Sequence, residues 1–162
     1  MATINCCISN HPCPILCSSL SSCTNTILNP VIAIPFAFFD NRQTQTVATD
    51  GTIAVNLVES RGSEITTSTA VSGAVDLAAG SYQVTYLAGG TVPSGGNLSI
   101  KLRLDGVDVQ SSLLTTTQPA GQFANLTQTI IITVLQTTTL EIVNNSGQDT
   151  IYSYASISVS GL

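Results

Sequence analysis

From Leu98 to Leu104 apolar and polar residues alternate without a break, with Leu98, Ile100, Leu102 and Leu104 on one side and Ser99, Lys101 and Arg103 on the other. That period of two is the signature of a strand with one buried face. Asp105-Gly106 follows at once and predicts a two-residue type I′ hairpin turn, whose central positions both need positive φ. Further period-two runs cover Ile32 to Phe38, Ile53 to Leu57, Tyr82 to Tyr86, Leu126 to Leu135 and Ile151 to Val159. In the last run Ile151, Ala155, Ile157 and Val159 are expected on the buried face, with Tyr152 and Tyr154 on the other. Gly80, Gly89-Gly90, Gly95-Gly96, Pro119-Ala120-Gly121 and Asn144 to Gly147 punctuate the runs. About eight to ten short strands with no helical period predict an all-β fold, a β-sandwich or jelly roll. There is no internal repeat and no Gly-X-Y tract.

The N-terminal part breaks this pattern. All five cysteines (Cys6, Cys7, Cys13, Cys17, Cys23) and the single His11 precede Thr24, and residues 24–162 contain neither type. Residues 1–29 hold no sustained period and carry Pro12 and Pro14. They read as an extended connector arm, and residues 30–162 as the head. Fully extended, such an arm spans at most about 95–105 Å, against a radius of gyration of about 14 Å for the head, so it reaches well beyond its own head.

An odd number of cysteines leaves at least one without an intramolecular partner. Cys6 and Cys7 are adjacent, about 3.8 Å apart at Cα, which is too close for the usual disulfide; if both are oxidised they go to different partners. Three readings stay open. The cysteines form intersubunit disulfides; or Cys13, Cys17 and Cys23 hold a metal with His11 or Cys7, although Cys13-x3-Cys17 supplies only one half of a zinc pattern; or they are free thiols in a tail. The first is preferred, with no metal and no cofactor.

Composition narrows the function. Only 8% of residues are charged and 43% are hydrophobic, against about 25% charged in an ordinary domain. A surface of neutral hydroxyls and amides has little charge repulsion to hold copies apart, which points to self-assembly. A net charge of −5 with four basic residues excludes a phosphate-neutralising nucleic-acid surface and an anionic-membrane surface. The N-terminus shows no signal-peptide pattern, and the most apolar run, Pro30 to Phe39, is too short and too interrupted by proline to span a bilayer.

An enzyme is not expected. The only histidine lies in the arm between Asn10 and Pro12, so no base is available to a Ser or Cys nucleophile in the head. No nucleophile elbow, phosphate-binding loop or zinc-protease motif occurs, and the carboxylates fall mostly at turns, where Asp is an ordinary turn residue. Asn97-Leu-Ser, Asn125-Leu-Thr and Asn144-Asn-Ser match a glycosylation pattern that this composition produces by chance. The aromatics Phe36 and Phe38 on the first strand and Tyr152 and Tyr154 on the last are candidates for a trimer interface, with cross-strand packing the alternative reading.

Several strands together resemble a known family. Leu77-Ala78-Ala79-Gly80-Ser81-Tyr82-Gln83-Val84-Thr85-Tyr86, the hairpin Leu102-Arg103-Leu104-Asp105-Gly106-Val107-Asp108-Val109, the segment Leu140 to Gly147 and the aromatic Phe36-Ala37-Phe38-Phe39 are similar to heads of the tumour-necrosis-factor/complement type. Among these they most resemble the C-terminal domain of BclA-type spore-surface glycoproteins. The resemblance covers residues 31–162. It implies a ten-stranded jelly roll, a homotrimer, a place on the exosporium or coat of an endospore, and no catalysis. The long collagen-like stalk of that family is replaced here by the cysteine arm, which is similar in style to the connectors of endospore appendage subunits. The expectation is therefore a self-assembling fibre or lattice subunit whose heads trimerise and whose arms cross-link copies. It would be made in the mother cell without a signal peptide and oxidised after lysis. The rival reading is a trimeric adhesin head that binds a ligand and is tied by its arm to other spore-coat proteins.

Overall fold

The computed structural model describes residues 33–162; the five cysteines, His11 and the arm lie outside the described residues. Twelve strands follow one another: β1 (Phe36–Asn41), β2 (Gln45–Val47), β3 (Asn56–Arg61), β4 (Ile65–Thr67), β5 (Val75–Leu77), β6 (Gly80–Thr91), β7 (Gly96–Leu104), β8 (Val107–Asp108), β9 (Leu114–Gln118), β10 (Phe123–Val134), β11 (Thr138–Asn144) and β12 (Thr150–Gly161). They form two antiparallel six-stranded sheets. Sheet A has the order β10-β6-β12-β1-β3, with β2 also on β12; sheet B has β4-β5-β11-β7-β8, with β9 also on β7. This is the expected all-β jelly-roll sandwich. The count exceeds ten because β2, β4, β5 and β8 are pieces of two or three residues.

Alternation built the core as read. Leu98, Ile100 and Leu102 of β7 and Tyr82, Val84, Tyr86 and Ala88 of β6 are all buried between the sheets. The Asp105-Gly106 turn holds both residues at positive φ, 46° and 81°, as a type I′ turn requires. Its tip is tied to β11, because Thr139 N donates to the Asp105 carboxylate (2.7 Å) and Asp105 N to the Thr139 carbonyl (2.9 Å). Ser99 faces outward as expected, yet it is buried, because the turn after β11 folds over it: Asn145 N donates to its carbonyl at 2.8 Å.

Two readings are corrected. Ile53 to Leu57 is not one strand. Thr52 bridges Val143 of sheet B while Asn56 pairs with Asp40 of sheet A, so the segment between them crosses from one sheet to the other. Ile53 and Val55 are buried in the crossing, and their amides are satisfied singly, by the Ile142 and Gly73 carbonyls. Burial alone produced the period of two. The second correction is in β12. Tyr152 pairs with Gly90 and Tyr154 with Gly89, so Ser153 is an extra residue on its strand. Such a bulge shifts the parity of everything beyond it. Tyr152, and not Ile151, therefore joins Ala155, Ile157 and Val159 in the core, at 0% exposure.

Tyr152 closes a buried polar knot. Its hydroxyl donates to Asn144 Oδ1 (3.0 Å), which also accepts from Ser146 N (3.0 Å). The Asn144 amide meets the carbonyls of Val47 (2.9 Å), Ala48 (3.1 Å) and Gln148 (3.0 Å). One side chain thus joins the end of β2, the turn after β11 and, through Tyr152, β12. Tyr86, on β6, places its hydroxyl between the Ser112 carbonyl and Gln128 Oε1.

Burial pushes the hydroxyls of Tyr86 and Tyr152 up, each to about 12, whereas tyrosines of the unfolded chain ionise near about 10. The stability these groups contribute is complete below about pH 10 and is lost as pH rises toward about 12. Thermal melts across this range should show the melting temperature falling steeply. Tyr152→Phe should lose about 1 kcal/mol at neutral pH with the bond to Asn144 and decline less steeply in alkali. A wild-type melting temperature that stays flat to about pH 12 would refute the assignment.

Candidate functional site: the uncharged face of sheet A

The strand period gives each strand of sheet A a core side and an outer side, and the pairings align the outer residues in rows. One row reads Thr129, Thr85, Ser158, Phe38, Glu59; the next reads Ile131, Gln83, Ser160, Phe36, Arg61. β6, β10 and β12 contain no charged residue. On the outer face charge is confined to the β1–β3 margin, at Asp40, Glu59 and Arg61. Across the remainder hydroxyls alternate with apolar groups. Ser81 pairs with Thr133 (2.9 Å) and Thr85 with Thr129 (2.8 Å) through their side-chain oxygens. Ile131 is 69% exposed and Phe123 48% exposed, while Phe36, Phe38, Leu87 and Tyr154 are half-buried.

At the far end of this face, two rings and an amide converge over a glycine. Phe123 and Tyr154 lie with ring centroids 6.0 Å apart, within the range of a favourable aromatic pair, and the Tyr154 hydroxyl donates to Asn125 Oδ1. A Cβ on Gly89 would come within 2.5 Å of Tyr154 Cζ and 2.7 Å of both Phe123 Cζ and Asn125 Oδ1. A glycine inside a strand marks such a close approach. It sits directly opposite the bulge that turns Tyr154 outward.

Sheet B is built in the opposite way, with both of its cations ion-paired. Lys101 Nζ contacts the carboxylates of Asp108 (2.8 Å) and Asp50 (3.2 Å), and Arg103 reaches Asp108 (3.1 Å) and Asp50 (3.4 Å). Hydrogen bonds from Lys101, and then Arg103, hold the Asp108 carboxyl below its usual range, and the bond to Asp108 raises Lys101. A shallow cleft opens beside this cluster, lined by Lys101, Asp108, Gln110, Leu113 and Asn145. The charged groups at its edge are already committed to one another. Among the described residues no group of three His, Cys, Asp or Glu is placed to hold a metal.

Of the four aromatics singled out in the sequence, Phe36, Phe38 and Tyr154 lie on the outer face of sheet A. Tyr152 has no surface to offer, being fully buried by the shift of parity at Ser153. Phe123, Leu87, Ile131 and the serines of β12 belong to the same face and were not singled out. Their signal was present as alternation: Thr127, Thr129, Ile131 and Thr133 interleave with buried or half-buried residues of β10, and Ser156, Ser158 and Ser160 with Ala155, Ile157 and Val159.

No protein-family model matches the chain, and no curated protein sequence matches it. Solved structures show its fold. The globular domain of the zebrafish complement 1qA protein superposes with a TM-score of 0.61 at 13% identity, over 77% of this chain and 94% of that one. Murine APRIL superposes with a TM-score of 0.57 at 9% identity, over 78% of this chain and 99% of that one. Residues 33–162 share the jelly-roll fold of these two domains.

Gly89→Ala should therefore displace the two rings and leave the fold intact, because the atoms in the way are the far ends of surface side chains. Near-UV circular dichroism should change with the far-UV spectrum preserved, at a cost of about 1 kcal/mol. An unaltered near-UV spectrum would show that the rings do not rest on Gly89.

Proposed function

We propose that this chain is a structural, self-assembling subunit whose heads associate through the outer face of sheet A. The observation that carries this reading is that three adjacent strands present a face with no charge and with exposed Phe123 and Ile131. Large exposed apolar patches on soluble domains mark contact surfaces, and a face without charge loses no ionic solvation when it is covered. The partner proposed is another copy of the same chain. The resemblance to spore-surface heads refines this to a homotrimer on the surface of an endospore, in an appendage or coat layer. In that setting the arm at residues 1–29 cross-links neighbouring subunits through Cys6, Cys7, Cys13, Cys17 and Cys23. No catalytic step is assigned. Among the described residues, the cleft beside Lys101 on sheet B favours the rival reading, a ligand-binding head anchored by its arm.

Sedimentation velocity of the full-length chain in reductant should give a trimer, and removal of reductant should give species that denaturing gels resolve as covalent multimers. Electron micrographs of the oxidised protein should show filaments or sheets. A monomer in reductant at micromolar concentration would refute association through the head. Monomer bands with and without reductant would refute the cross-linking. A discrete trimer that never polymerises would favour the ligand-binding head.

A further inference from the structure

Among the described residues one buried side chain leaves its polar atoms without partners. Gln118, the last residue of β9, is 6% exposed, and neither its Nε2 nor its Oε1 makes a hydrogen bond. An amide offers two donors and an acceptor, and burying them unpaired forfeits the bonds they make in water. Gln128, on the inner side of β10, shows the contrast. Its Oε1 accepts from the Tyr86 hydroxyl (2.6 Å) and its Nε2 donates to the Ser111 carbonyl (3.2 Å).

The strand that carries Gln118 has little else to hold it. β9 is five residues long and pairs on one side only, with residues 96–100 of β7. Its inward positions are Leu114, Thr116 and Gln118; of these only Leu114 joins the apolar core, and it is half-buried. Its partner strand is seated far better, with Leu98 and Ile100 at 0% exposure. The side-chain bonds across the pair are small hydroxyl contacts, Ser99 with Thr115 and Thr117 with Asn97, both at 2.8 Å. The turn that leaves β9 is held by Gln122 N on the Pro119 carbonyl (3.2 Å) and Gly121 N on the Val92 carbonyl (3.3 Å), at and beyond the usual upper length for such bonds. The flanks are firm. Ser112 is fully buried, its Oγ donating to the Val109 carbonyl (2.6 Å) and accepting from Leu102 N (2.8 Å). On the other side β10 pairs with β6 over twelve residues without a shift of register.

We infer that β9 is a latch: residues 113–122 leave β7 together while both sheets stay folded, and the unpaired amide of Gln118 sets how readily they do so. Opening hydrates that amide, which offsets part of the cost of breaking the short ladder to β7. A segment with few buried apolar groups between two well-held elements is where a fold opens locally. The open form bares the backbone of β7 over residues 96–100, an edge that the closed head does not show. The latch belongs to sheet B and is independent of the association proposed for sheet A.

Hydrogen exchange of the full-length chain in reductant, followed by mass spectrometry at rising denaturant, reads the opening. Residues 113–122 should exchange at least about tenfold faster than β6 and β12. Their exchange should also depend more weakly on denaturant, because a local opening exposes less surface than global unfolding. Gln118→Met keeps the reach of the side chain and removes the unpaired amide, so exchange of residues 113–122 should slow at least about tenfold with an unchanged far-UV spectrum. Gln118→Asn keeps an amide and should not slow it. Should residues 113–122 exchange only with β6, at the same rate and denaturant dependence, there is no latch. Should Gln118→Met exchange as fast as the wild type or faster, the amide is satisfied in the folded head and does not set the opening, which equally overturns the inference.

Discussion

The extra residue at Ser153 is the constraint on which the arrangement of the head depends. A strand has a strict period of two, so a single inserted residue exchanges the faces of everything that follows. Because β12 lies between β6 and β1 in the middle of sheet A, its parity decides what that whole sheet shows to solvent. With the insertion, Tyr152 enters the core and reaches Asn144, Tyr154 turns out over Gly89, and Ser156, Ser158 and Ser160 line the outer face. Without it, Ala155, Ile157 and Val159 could not be buried together with Tyr152. The glycines opposite belong to the same device: a Cβ on Gly90 would meet the Ile151 carbonyl at 2.7 Å, so the strands approach there only because both positions lack a side chain.

This also explains how far the fold was legible in the sequence. β7 and its hairpin were readable because both signals are local: four alternating aliphatics, then Asp-Gly where two positive φ values are needed. The number and spacing of such runs left a β-sandwich or a jelly roll, and the resemblance implied the jelly roll. β12 was misread because a bulge leaves no local mark; Ser153 resembles the serines on either side of it. The doublet Gly89-Gly90, on a strand more than sixty positions away, was the only trace, and it reads equally well as a turn. Ile53 to Leu57 failed for another reason. A segment that crosses between two sheets buries every second residue just as a strand does, and only its hydrogen bonds tell the two apart.

The candidate site was half legible. Low charge across the chain was evident, but its distribution was not. The Lys101 and Arg103 of one sheet are neutralised by Asp50 and Asp108, whose nearest approach in sequence is five residues and whose farthest is fifty-three. Those charges therefore keep sheet B wetted and self-contained. On β10, β6 and β12 of sheet A there is no charge at all, and there Ser, Thr and Gln take the place that Lys and Glu hold on an ordinary domain surface. The aromatics drew attention in the sequence, yet the plain serines between them share the same face, and that appears only once their row is known.

A face of hydroxyls suits a subunit that is exposed first and covered later. A charged group gives up several kcal/mol of hydration on burial and returns it only with an exact partner. A purely aliphatic face would associate before the chain finished folding. A serine or threonine hydroxyl costs about 1–3 kcal/mol to bury unpaired, and water or a neighbouring backbone can satisfy it equally. Each bond exchanged in this way returns only about 0.5–1.5 kcal/mol net, so such contacts are specific in geometry, reversible, and little affected by salt. Permanence has to come from elsewhere. In the proposed assembly the head would set position by reversible contacts and the cysteine arm would fix the result covalently.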